Sequence, residues 1–125
     1  MILVAEDEES LRGMLSIVLR GRGYEVLLCA NGAQAKAALA SDARIDAVLL
    51  DLRMPVVGGG ELLAAVRGDP RRAMLPVIAM SAYSDDLKAR ELLAAGADAF
   101  LAKPFTLHEL TSTLATLLRA RTPRA

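Results

Sequence analysis

The chain has 125 residues, 54% hydrophobic and 24% charged, a composition that suits one globular domain with a real core and excludes a disordered chain. Fifteen Lys and Arg balance fifteen Asp and Glu, which argues against a nucleic-acid interface spread over a basic surface. The single cysteine, Cys29, rules out an internal disulfide, and the apolar runs are too short to span a bilayer. Met1 leads straight into Ile2-Leu3-Val4-Ala5 with no positively charged leader, so a soluble cytoplasmic chain is expected, with no membrane contact.

Short apolar runs alternate with helical patterns. The runs are Ile2 to Ala5, Val26 to Ala30, Ala47 to Leu50, Val77 to Met80 and Ala99 to Ala102. Several lack strict apolar–polar alternation, which marks strands covered on both faces of a parallel sheet. After the first run, Leu11, Leu15, Val18 and Leu19 form one helical stripe, and Gly23 offers a stop. Asn31-Gly32-Ala33-Gln34 resembles a capping box before an Ala-rich helix. A third helix is predicted from near Gly60 to about Arg67, and a fourth from roughly Asp85 to Ala95 with Gly96 beyond it. Thr106-Leu107-His108-Glu109 is a second capping box, opening a last helix with Leu110, Leu114, Leu117 and Leu118 inside.

Five strand–helix units with right-handed crossovers make an open doubly wound α/β sheet. The flavodoxin-like strand order 2-1-3-4-5 is expected, since the first strand is apolar enough to be central. Residues 1–120 would form this domain, and 121–125 a tail or the start of a linker.

In open α/β sheets, ligands bind beyond the carboxyl ends of the strands. Glu6-Asp7-Glu8 follow the first strand, Asp51 the third, Ser81 the fourth and Lys103-Pro104 the fifth. In the expected order these ends converge on one cleft. Glu6, Asp7 and Asp51 would crowd together and repel unless neutralised by Lys103 and a divalent cation. Oxygen-only ligands favour Mg²⁺, Mn²⁺ or Ca²⁺. A carboxylate can attack phosphorus to give an aspartyl-phosphate. Asp51, at the end of the middle strand, is the best-placed nucleophile, and the Ser81 hydroxyl could donate to a phosphoryl oxygen.

The segments VAED, LLDLRMP, Gly59, AMSA and AGADAFLAKPF together resemble response-regulator receiver domains of two-component signal transduction, over almost the whole chain. The resemblance implies that Asp51 accepts a phosphoryl group from a sensor histidine kinase or phosphotransfer protein. Asp7 and Asp51 would bind Mg²⁺ (Mn²⁺ as a substitute) with the backbone carbonyl of Arg53, and Glu6 would act through a metal-bound water. Lys103 would contact the phosphoryl group, before a cis bond to Pro104. Ser81 and Phe100 would form a switch pair. The surface of the fourth helix, fifth strand and fifth helix would then engage a downstream effector or a second copy as a homodimer, without direct nucleic-acid contact by this domain. Arg53 and Tyr83 flank the expected phosphate position and are expected to tune hydrolysis of the acyl phosphate by limiting attacking water.

Three positions depart from the common pattern: Gly58 where Asp is frequent, Glu6 for the commoner Asp, and Phe100 for the frequent Tyr. Neighbouring functions fit less well. A phosphatase with an Asp nucleophile usually carries a second Asp two residues on, where this chain has Arg53, so the expectation is a switch rather than a turnover enzyme. A flavin module would meet repulsion from Glu6-Asp7-Glu8. A pseudo-receiver that only docks partners, the alternative reading, usually lacks the Asp or Lys retained here. His108, at the start of the last helix, is expected to be exposed, and Cys29 a small buried hydrophobe.

Overall fold

The computed structural model describes residues 1–54, 57–82 and 86–121. The elements run β1 (Ile2–Ala5), α1 (Glu9–Gly21), β2 (Val26–Cys29), α2 (Gly32–Ala40), β3 (Ala47–Asp51), α3 (Gly59–Gly68), β4 (Val77–Ala82), α4 (Asp86–Ala94), β5 (Ala99–Lys103) and α5 (Leu107–Arg121). All strands are parallel, in the order β2-β1-β3-β4-β5, as expected. Strands β3 to β5 reach one or two residues further than their apolar runs. Asp51 and Lys103 therefore close β3 and β5, and Ser81 is the penultimate residue of β4, with pairings such as Asp51 with Met80 and Ser81 with Ala102.

The side-chain period of two divides the core between the faces of the sheet. Ile2, Val4, Leu49, Ile78, Met80 and Leu101 meet Leu15 and Leu19 of α1 and Leu110 and Leu114 of α5. Leu3, Ala5, Leu50, Val77 and Ala79 meet α2, α3 and α4 through Leu39, Leu62, Leu63, Val66 and Leu92. Each fully buried Leu contributes about 2 to 3 kcal/mol of transfer free energy.

The helix ends follow their local chemistry. Gly23 takes a φ of 91°, and its N–H and that of Tyr24 reach back to Arg20 and Leu19 carbonyls, closing α1. Asn31 Oδ1 accepts the Gln34 N–H at 2.8 Å, while Gln34 Oε1 accepts the N–H of Ala30 rather than of the cap itself. Thr106 and Glu109 form the full reciprocal box, at 3.0 and 3.1 Å.

Two arginines tie the lower end of the molecule. Arg67, ending α3, donates to the carbonyls of Ala73, Leu75 and Gly96 and to the Asp98 carboxylate. Arg72 is buried and donates to Leu39, Ser41 and Ala43 carbonyls. Paired guanidinium groups of this kind satisfy loop carbonyls that would otherwise lack partners. Among the described residues, no helix is long and apolar enough to cross a membrane.

Candidate functional site

The site arises by continuing one face of the sheet past its apolar rows. Val4, Leu49 and Leu101 point toward the α1–α5 layer. Two residues further on, at the period of a strand, stand Glu6, Asp51 and Lys103. The same alternation that buries the core thus aims two carboxylates and an ammonium into one space.

Glu6 has no exposed surface and Asp51 is 4% exposed. Lys103 Nζ donates to Glu6 Oε1 at 2.7 Å and lies 3.4 Å from Asp51 Oδ2. The other Glu6 oxygen accepts the N–H of Glu8 at 3.1 Å, and Asp51 Oδ1 accepts the N–H of Arg53 at 3.2 Å. Asp7 is exposed, yet one carboxylate oxygen each from Glu6, Asp7 and Asp51 lie within 4.8 Å of one another.

Three carboxylates meet one ammonium here, and the imbalance appears in the proton affinities. Burial, followed by the hydrogen bond and charge of Glu6, pushes Asp51 up to about 7, against the opposing pull of Lys103 and the Arg53 N–H. Burial lowers the proton affinity of Lys103, but its bonds to Glu6 and its attraction to Asp51 outweigh that and raise it. Lys103 is therefore a fixed cation. The donor set is all oxygen, with carboxylates short of positive charge, and this suits a hard divalent cation such as Mg²⁺ rather than a thiolate- or imidazole-seeking metal.

Ser81 is 1% exposed and belongs to the other row, with Ala79 below it. Phe100 pairs in register with Ala79, one side-chain repeat below Ser81, and packs partly buried against the α2–α3–α4 core. The Lys103-Pro104 peptide is cis. The Arg53 side chain is exposed. Tyr83 and Pro55 lie outside the described residues. His108 is exposed and Cys29 buried.

The loop after Asp51 is set by close packing. A Cβ on Gly59 would stand 3.0 Å from Leu52 Cα, and one on Gly32 would stand 2.0 Å from the Val57 carbonyl oxygen. Only glycine lets the start of α2 pass so near this loop.

One side chain at the site escaped the sequence reading. Arg12 folds back from the first turns of α1, and its Nη1 donates to the carbonyls of Glu6 at 3.0 Å and Asp7 at 3.4 Å. The available signal was a basic residue near a helix start, where an acidic one is electrostatically favoured.

Comparison with known proteins gives one consistent picture. The family described as "Response regulator receiver domain" matches residues 2–115. The chain is 36% identical over 118 residues to the DNA-binding response regulator MtrA of Mycobacterium tuberculosis, covering 94% of this chain and 51% of that protein. It is 34% identical over 122 residues to the phosphate regulon transcriptional regulatory protein PhoB of Pseudomonas aeruginosa, covering 98% and 53%. The chain thus spans about half the length of these curated relatives. Among solved structures, it is similar to the Vibrio cholerae chemotaxis protein CheY4 (TM-score 0.85, 35% identity, 93% of this chain and 96% of that one). It is also similar to the receiver domain of a Pseudomonas aeruginosa sensor histidine kinase that holds a magnesium ion in its active-site cleft (TM-score 0.86, 33% identity, 94% and 96%).

Proposed function

This chain belongs to the response regulator receiver domain family, a signalling domain of two-component systems, and from that premise we propose that it is switched by transfer of a phosphoryl group to Asp51. The observation that carries the reading is the meeting of Glu6, Asp7 and Asp51 within 4.8 Å, with the Lys103 ammonium on two of the three.

In this reading an Asp51 carboxylate oxygen attacks the phosphorus of a phosphohistidine on a sensor kinase or phosphotransfer protein. The new O–P bond forms as the N–P bond to the donor imidazole breaks, and the bonding pair leaves with that nitrogen. The product is an acyl phosphate on Asp51. Asp7, Asp51 and the Arg53 carbonyl would hold Mg²⁺, with Glu6 reaching it through water. When bound, the cation offsets the charge of the carboxylates and of the phosphoryl oxygens, keeping Asp51 ionised as a nucleophile. Lys103 turns from its carboxylate partners toward the phosphoryl oxygens, and the Ser81 hydroxyl donates to another.

The phosphoryl group adds charge and acceptor oxygens at the tips of β3, β4 and β5, and favours the arrangement in which Ser81 and Lys103 contact it. Phe100 then repacks below Ser81, altering the α4–β5–α5 surface. That surface would engage an effector or a second copy of the chain. In keeping with this role, Leu92 is the only buried side chain among Arg90 to Ala94 of α4, so that stretch is held by little apolar contact.

The test is incubation with acetyl phosphate and Mg²⁺, read by intact mass. The unaltered chain should gain the mass of one phosphoryl group, and omission of the metal should abolish the gain. An Asp51→Asn chain that still gains it would refute the assignment.

A further inference from the structure

The loop between β1 and α1 has little to fix it. The Glu6 N–H is bound by the Cys29 carbonyl, and the Glu8 N–H by Glu6 Oε2. The carboxylate of Asp7 is solvent-facing and has no hydrogen-bond partner among the described residues. Its direction is therefore set through its backbone. The carbonyls of Glu6 and Asp7, one on each side of the Asp7 Cα, lie beyond the end of β1 and before α1, and Arg12 Nη1 donates to both. A guanidinium suits this task, because it is planar and presents its donors in a fixed fork. Side chains on a helix lean toward its N-terminus, so a residue in the first turns of α1 lies over the preceding loop.

We propose that Arg12 is a positioning residue for the divalent-cation site: by gripping the Glu6 and Asp7 carbonyls it aims the Asp7 carboxylate at the space shared with Glu6 and Asp51. The inference rests on the reading of that trio as a cation site. Two effects of Arg12 on cation binding have opposite signs. Its charge repels an incoming cation, whereas its grip pre-orients a ligand. Groups that orient metal ligands are worth about 10- to 100-fold in metal affinity. The charge of Arg12 is half-buried and spent on two carbonyl oxygens, so its repulsion is partly screened by solvent and worth less. Orientation therefore outweighs repulsion.

The experiment is calorimetric titration of the metal-free full chain with MgCl₂, for the unaltered protein, Arg12→Ala, Arg12→Gln and Arg12→Lys. Urea unfolding of each in EDTA accompanies it. The expected result is a Mg²⁺ Kd about tenfold weaker in Arg12→Ala. Arg12→Gln, with one amide donor, keeps the fold if alanine does not and is also weaker. Arg12→Lys, which can still donate to a carbonyl, recovers part of the loss. Affinity unchanged or tighter in both the alanine and glutamine variants overturns the proposal. So does a weakening that only tracks lost stability in EDTA and that lysine does not rescue. Absence of Mg²⁺ binding by the unaltered chain removes the site reading itself, and the proposal with it. Binding that persists undiminished in the variants removes only the role of Arg12.

Discussion

The ammonium of Lys103 lies 2.7 Å from Oε1 of Glu6, a carboxylate without exposed surface. The two residues are 97 positions apart, at the ends of strands separated by β3 and β4. A buried carboxylate depends on such a partner, and removing one member of a buried pair costs more than the pair contributes. Lys103→Met should lower the unfolding free energy by about 3 kcal/mol, because Glu6 is left charged and unpaired. Adding Glu6→Gln should restore much of that loss. A double-mutant cycle by urea unfolding measures both, and additive single effects would show that the contact is not energetically coupled.

Asp51 gives the metal-free chain a pH dependence of definite sign. Its proton affinity in the folded state, about 7, lies above the ordinary 3.8 of the unfolded chain. The folded state therefore binds this proton more tightly. The resulting stability is complete below about pH 4 and is lost as pH rises through 7. Lys103, also raised, contributes throughout this window and loses its contribution only above the lysine range. In EDTA, Asp51→Asn should flatten the slope between pH 5 and 8 and add about 1 to 3 kcal/mol at the alkaline end. Denaturant midpoints at three pH values test this. Excess Mg²⁺ at the alkaline end should stabilise the unaltered chain more than the variant.

The side chain of Arg53 is exposed beside Asp51, and Tyr83 follows β4 in sequence. Replacing both with alanine should open the acyl phosphate to water and shorten its lifetime severalfold. Loss of the added mass with time after acetyl phosphate is removed reports that rate, and an unaltered lifetime would rule out a shielding role for the pair.

Gly13 lies exposed inside α1, and a Cβ built on it meets nothing within 4 Å. Its cost is therefore conformational entropy without a packing return. Gly13→Ala should raise stability by about 0.5 to 1 kcal/mol, read by thermal or urea unfolding. A neutral or negative effect would mean that the exposed face of α1 is constrained by something other than helix propensity.

The fold was legible because each of its signals is local. Runs of apolar residues gave the strands, Asn31 and Thr106 the helix starts, and Gly23 a stop whose φ of 91° shows why glycine stands there. The convergence of Glu6, Asp7, Asp51 and Lys103 also followed, since strand order alone brings those tips together. What could not be read were the contacts decided by side-chain reach. Nothing local says that Lys103 will bond more closely to Glu6 than to Asp51, that Arg12 will turn back over its own loop, or that Arg67 will span to Gly96 and Asp98. Strand ends ran past their apolar runs because backbone pairing continues through polar residues such as Asp51 and Ser81.

The division of the interior by the sheet has a practical corollary. Leu15 and Leu19 sit in one compartment, Leu62 and Leu63 in the other, and the strand backbones form a bulkhead between them. Volume lost on one side is not made good by side chains from the other. A change of volume beneath α1 and α5 therefore stays on that face, and under the proposed switch a signal from Asp51 would reach the layer in which Phe100 sits by way of the strand tips, where Ser81 stands on the opposite face.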